Sequence, residues 1–217
     1  PDLPPDFLLC NNLMRDSNKR NAHTSFIQYI IRTALPTSTH LVLNGDDMVG
    51  CGLAKEGQKC TYFGMDTEIP QTREPQLIQD IVYCPDCGGI LDFEYVRYNH
   101  IGRMYCPQCG FGDLDRAFRV LSLDRENQTV TISCDGKEEI FPLLNDNIIN
   151  IYNTCAAVAL LTRFGLTADQ IRKGLAGNAI VRSRFDRVVS GEHTITMQMA
   201  KGMNPIACTR AFHYAAS

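Results

Sequence analysis

The sequence predicts an α/β protein built on a mostly parallel sheet, interrupted by a small metal-stapled insertion. Two observations carry this. Short β-rich runs alternate with helical repeats through the first third of the chain, as in βα units. Near the middle, two C-x2-C pairs break that alternation with a stretch dense in Cys, Gly, Tyr and Pro.

The elements read in order as follows. "FLLC" (7–10) is a short strand after a Pro-rich entry. "AHTSFIQYIIRTAL" spaces Phe26, Ile27, Ile30 and Ile31 at helical intervals, with Thr24 or Ser25 as candidate caps and Pro36 as the stop. "THLVLNGDD" and "KCTYFGM" are strands, joined by a helix or loop. After the insertion, "RAFRVLSL", "QTVTISC" and "KEEIFPL" form a small β-meander with turns at "DREN" and "DGKE". "NDNIINIYNTCAAVALLTRFG" is a helix stopped by Gly165, and "TADQIRKGLAG" a second one with a Thr167/Gln170 capping box. "RFDRVVSGEHTITMQMAKGMNP" returns to strands, and "PIACTRAFHYAAS" starts a helix that reads as unfinished. A domain boundary is therefore expected near 180–187: residues 1–183 form one domain with an insertion at 80–113, and 184–217 begin another. On this reading the second domain is only begun within these residues, and the chain reads as a fragment.

Composition narrows the function. The 217 residues carry a net charge of −3 and no long basic run, so bulk electrostatics give no help to nucleic-acid binding. No apolar run reaches membrane-spanning length, and the N-terminus lacks the features of a secretory signal. Of ten cysteines, Cys10, Cys134 and Cys155 lie in apolar contexts and read as buried thiols of a reducing, cytoplasmic compartment.

Cys84, Cys87, Cys106 and Cys109 form the two knuckles of a zinc ribbon, each followed by Gly, with 18 residues between Cys87 and Cys106. Four thiolates suit a closed tetrahedral structural Zn²⁺, which leaves no open position for catalysis. An iron–sulfur centre is the lesser alternative. Between the knuckles lie Tyr95, Arg97, Tyr98, His100, Arg103 and Tyr105. They could stack bases, but ordinary hairpin residues on a metal-stapled excursion of little core is the preferred reading, with His100 in a loop or on the surface.

Polar residues gather where strands end. Asn44, Asp46 and Asp47 close one strand; Asn12, Arg15 and Asp16 follow another. The carboxyl ends of parallel strands are where open α/β sheets bind ligands, though a solvated turn is an equal reading for the Asp pair alone. Asn150 and Asn153 lie near a helix start, as phosphate or nucleotide contacts or simply caps. Arg184 clusters with Arg182 and Arg187 at the expected boundary, and Lys201 follows a later strand. No G-x-x-x-x-G-K-[ST] phosphate loop occurs in these residues.

"NNLMRD", "LVLNGDD", the ribbon, "NIINIYNTCAA" and "SRFDR" occur in this order. Together they resemble the MurT family, the Mur-ligase-like subunits of lipid II isoglutaminyl synthases. The resemblance implies a Mur ligase central ATPase domain carrying the zinc ribbon, followed by a C-terminal Mur ligase domain. It implies ATP- and Mg²⁺-dependent amidation of the D-glutamate in the lipid II stem peptide, with ammonia from a GatD-type glutaminase. By motif it puts Asn12, Arg15, Asp16, Asn44, Asp46 and Asp47 near nucleotide and metal, Asn150 and Asn153 near the adenine, and Arg184 at ATP. Lys201 is a similar candidate. Departures from the pattern include Lys19, His23 and Ser183. The alternative is a catalytically inactive zinc-ribbon module binding protein or nucleic acid.

Overall fold

The computed structural model describes residues 3–15, 23–66, 80–112, 114–178 and 185–198. Its main sheet has six strands: β1 (Phe7–Cys10), β2 (His40–Asn44), β3 (Cys60–Met65), β6 (Phe118–Asp124), β7 (Thr129–Cys134) and β8 (Lys137–Pro142), side by side in that order. β1, β2, β3 and β6 run parallel; β7 and β8 complete the sheet antiparallel. The expected meander β6–β8 thus forms the far edge of the sheet. It pairs because Phe118, Val120, Val130, Ile132 and Phe141 supply the same buried face.

Helices cover both faces of the parallel part, as parallel sheets require. β2 shows this directly, since all five of its residues are buried. Val42 points into a core shared with α3 (Ile148–Arg163) and α4 (Ala168–Ala176). Leu41 and Leu43 point the other way, where Ile27 and Ile31 of α1 (Thr24–Ala34) and Val49 of the one-turn α2 (Met48–Cys51) pack. Neither Thr24 nor Ser25 caps α1. The cap is His23, whose ring accepts from Ser25 N, while Thr24 is buried and donates to the Asp80 carbonyl at 3.1 Å. The Thr167/Gln170 capping box opens α4, and Gly165 leaves α3 at φ +101.

The insertion lies in the crossover from β3 to β6. Its hairpin pairs β4 (Asp92–Tyr98) with β5 (Ile101–Tyr105). It is no loose excursion. Tyr98 and Ile101 join the main core beside α3, and Met104, Leu91, Cys84 and Cys106 pack on Met48 of α2. Fully burying Ile101 alone contributes about 1.5–3 kcal/mol. A separate hairpin, β9 (Phe185–Ser190) and β10 (His193–Gln198), follows α4. The expected boundary at 183/184, Arg182 and the final helix lie outside the described residues.

Candidate functional site

Two sites face different ends of the ribbon hairpin. At one end, Cys84, Cys87, Cys106 and Cys109 present sulfurs all within 4.8 Å of one another. Cys84 and Cys109 Sγ are 3.6 Å apart, Cys87 and Cys106 Sγ 3.5 Å. Sulfurs about 2.3 Å from a central ion span tetrahedron edges of about 3.8 Å, so the cluster fits Zn²⁺. The knuckles repeat one geometry: Gly88 and Gly110 both sit at φ +75, and their N–H groups donate to the Cys84 and Cys106 carbonyls. Asp86 N and Gly89 N point at Cys84 and Cys87 Sγ at 3.4 Å each, stabilising thiolate charge. Four sulfurs close the shell, so a metal here has a structural role.

The other site is a cleft of about 410 Å³ at the carboxyl end of β1, lined by residues including Cys10, Asn11, Asn12, Leu13 and Asn153. Asn11 Nδ2 donates to Asn153 Oδ1 at 2.5 Å, tying the strand exit to the second turn of α3. Asn44 is fully buried behind this edge. Its Nδ2 donates to the Asn11 carbonyl at 3.0 Å, and its Oδ1 accepts from Asp46 N. Asn12 and Asn153 line the same cleft, while Asn44 is buried behind it against the Asn11 carbonyl. Asn150 turns instead to Asn145 Oδ1 at 2.6 Å. Arg15 reaches Asp80 at 3.0 Å. Asp16, Arg184 and Lys201 lie outside the described residues.

Asp46 and Asp47, just past the end of β2, are both fully buried. Arg116 Nη2 is 2.9 Å from Asp46 Oδ1, and Asp46 Oδ2 accepts from Tyr152 Oη at 2.7 Å and from Met65 N at 3.2 Å. Burial, joined by the Asp46 charge, pushes the Tyr152 phenol well above its usual range. Asp47 caps α2 through Val49 N at 3.0 Å and accepts from Leu13 N at 2.6 Å. Its third partner is His100, 3.2 Å away. With both carboxylates already engaged, the pair does not fit a Mg²⁺ site in this conformation.

His100 lies in the β4–β5 turn, as expected, but the surface placement is corrected. It is 3% exposed, held between Asp47 and Asp80 rather than on a surface. Burial lowers its basicity, but the two carboxylates overcome this and raise its pKa to about 9. Tyr95, Arg97 and Tyr98 are buried too, Arg97 donating to the Asp66 carbonyl at 2.8 Å. These residues are not available to stack bases. Arg116, Tyr152 and Asp80 escaped the sequence reading because no local motif marks them.

No helix among the described residues is long and apolar enough to cross a membrane. No protein-family model matches the chain. Its sequence is 28% identical over 213 residues to the MurT subunit of the glutamine-hydrolyzing lipid II isoglutaminyl synthase from Streptococcus pneumoniae, covering 96% of this chain and 46% of that protein. It is 26% identical over 174 residues to the MurT subunit from Staphylococcus aureus, covering 80% and 39%. The chain therefore spans less than half the length of the curated relatives it matches. Among solved structures, a pseudomurein peptide ligase type C from Methanothermus fervidus superposes with TM-score 0.72 at 24% identity, over 90% of this chain and 38% of that one. MurF from Acinetobacter baumannii gives 0.57 at 14%, over 96% and 37%. The chain thus has the fold of these ligases and is similar in sequence to MurT subunits over most of its length.

Proposed function

We infer that this chain is part of an ATP-dependent ligase that amidates the D-glutamate of the lipid II stem peptide, working at the cytoplasmic side with a GatD-type glutamine amidotransferase. The observation that carries the reading is the similarity to MurT subunits across 96% of the chain. That span includes both the four-cysteine ribbon and the asparagine-lined cleft.

The chemistry is phosphoryl transfer followed by acyl transfer. An oxygen of the α-carboxylate attacks the γ-phosphorus of ATP and ADP leaves. Ammonia then adds to the acyl phosphate carbon, phosphate leaves, a proton is lost, and D-isoglutamine results. Catalysis of this kind is mainly positioning and charge compensation. In this chain Asn12 and Asn153 would contact nucleotide in the cleft, and Asn44 would hold the Asn11 carbonyl behind them. Asp16 and Arg184 join them by motif, and Lys201 as a candidate that follows a later strand. Mg²⁺ would supply charge neutralisation at the phosphates. The Asp46–Asp47 pair serves here as a rigid anchor just past the end of β2. Zn²⁺ in the ribbon is structural.

Binding is the readout suited to this chain, because it contains no glycine-rich phosphate loop. Titration calorimetry with a non-hydrolysable ATP analogue and Mg²⁺ should show binding that Asn12→Ala and Asn153→Ala each weaken, by roughly fivefold to tenfold for a lost hydrogen bond. Equal affinity in both variants, or no binding, would remove the cleft as the nucleotide site. Of the residues that could stack bases in a nucleic-acid-binding module, Tyr95, Arg97, Tyr98 and His100 are buried, which leaves Arg103 and Tyr105 accessible.

A further inference from the structure

His100 has no part in the chemistry proposed above. It occupies the tip of the β4–β5 hairpin, at the opposite end from the zinc knuckles. Its ring meets two carboxylates from two other segments: Nε2 lies 3.2 Å from Asp47 Oδ1, and Nδ1 lies 3.6 Å from Asp80 Oδ2. Each of those carboxylates in turn holds the stretch that leaves β1. Asp47 Oδ2 accepts from Leu13 N at 2.6 Å, and Asp80 Oδ1 pairs with Arg15 Nε at 3.0 Å.

Two carboxylates with fully buried side chains cannot stand close together without a cation. His100 is that cation on the inner side, and Arg15 on the outer side. The hairpin that delivers His100 is fixed along its length. Gly102 N donates to the Asp46 carbonyl at 2.9 Å, and Ile101 is fully buried in the main core. Metal binding supplies folding free energy to a ribbon of this kind. The hairpin thus connects a metal at one end with the cleft edge at the other.

We propose that His100 is a positioning residue through which the zinc ribbon fixes the 13–15 stretch that leaves the cleft at Leu13, so that metal loading and order in that stretch are coupled. The coupling stands on the geometry alone. Its consequence for nucleotide binding rests on the function proposed above.

The test is amide hydrogen exchange on the 217-residue chain, with one zinc per chain verified by elemental analysis. The Leu13 amide is the reporter, because it donates to Asp47 directly. Zinc-loaded His100→Gln should exchange the 13–15 amides roughly tenfold faster than the parent protein. Chelating zinc from the parent should do the same, and chelation should add little in the His100→Gln background. Adding Asp80→Asn to His100→Gln removes one buried charge and should restore part of the protection, which general loosening would not do. Unchanged protection at 13–15 in zinc-loaded His100→Gln would overturn the proposal. If that variant does not fold, the parent with and without zinc decides: a response confined to 84–110 overturns the coupling. Nucleotide is absent throughout, so failure of the ligase reading leaves this result intact.

Discussion

Tyr152 of α3 donates its phenolic hydrogen to Asp46, at the carboxyl end of β2, over 2.7 Å. Through Asp46 it is joined to Arg116 ahead of β6 and to the backbone of Met65 in β3. One buried carboxylate therefore fastens α3, the segment ahead of β6 and β3 to the end of β2. Such a charge is well accommodated only while every partner remains. Tyr152→Phe keeps the ring and removes one donor, so it should cost about 1–3 kcal/mol. Arg116→Met leaves the charge without its cation and should cost more, about 3–5 kcal/mol. Urea denaturation followed by circular dichroism measures both. Equal losses for the two variants would mean that charge compensation is not the governing effect.

Zinc removal should act beyond the knuckles. One equivalent of metal is expected per chain, and Co²⁺ substitution should give the absorption of a tetrahedral thiolate site. Cys87→Ser should lower metal affinity and the thermal midpoint together. Met48 of α2 shares a buried cluster with Cys84, Cys106 and Met104, so the destabilisation should reach α2. A Cys87→Ser protein with full metal content and an unchanged midpoint would count against the four-cysteine site.

The parallel sheet and the ribbon were both legible because their signals are local. Alternating apolar runs mark β2 and β3, and fixed spacing marks Cys84 through Cys109. Polar residues at the strand ends were legible as well, and of these Asn12 lines the cleft together with Asn153 of α3. What spacing cannot show is where a hairpin tip lands. His100 is 53 residues from Asp47 in sequence, and nothing local announces that contact. The same holds for Tyr152 and Asp46, 106 residues apart. Asp46 and Asp47 read equally as open ligands or a solvated turn, because all their partners but Val49 come from remote segments. His23 displaced Thr24 as the α1 cap for the same reason, since Thr24 is drawn inward to the Asp80 carbonyl.

Two ribbon glycines should differ sharply on substitution. Gly110 sits at φ +75 with open space where a Cβ would go, so Gly110→Ala carries only backbone strain, about 1 kcal/mol. Gly112 sits at φ +110, and a Cβ there would collide with the Met104 carbonyl and lie 2.8 Å from Met48 Cε. Gly112→Ala should therefore cost at least about 2 kcal/mol and push the ribbon off α2. Thermal midpoints of the two zinc-loaded variants give the comparison, and similar midpoints would refute the close packing.

The carboxylates around His100 make stability depend on pH from both sides. Burial alone would lower the His100 pKa, but Asp47 and Asp80 raise it to about 9. A raised folded-state value means the protonated form is favoured by folding. That stability is fully present below about 6.5, the unfolded value, and is lost as pH climbs through about 9. Asp80 has the opposite sign. Burial pushes its pKa up, yet His100 and Arg15 bring it below the ordinary carboxylate value. Its contribution is present above about 4 and is lost as pH falls through the lowered value. Zinc-saturated protein should thus be most stable near pH 5–6.5 as far as this cluster decides, and should lose up to roughly 3 kcal/mol between about pH 6.5 and 9. His100→Gln carries no titrating proton and should flatten the alkaline limb. Denaturation midpoints at a series of pH values test this. An alkaline limb of the same steepness in His100→Gln would assign that loss to other groups.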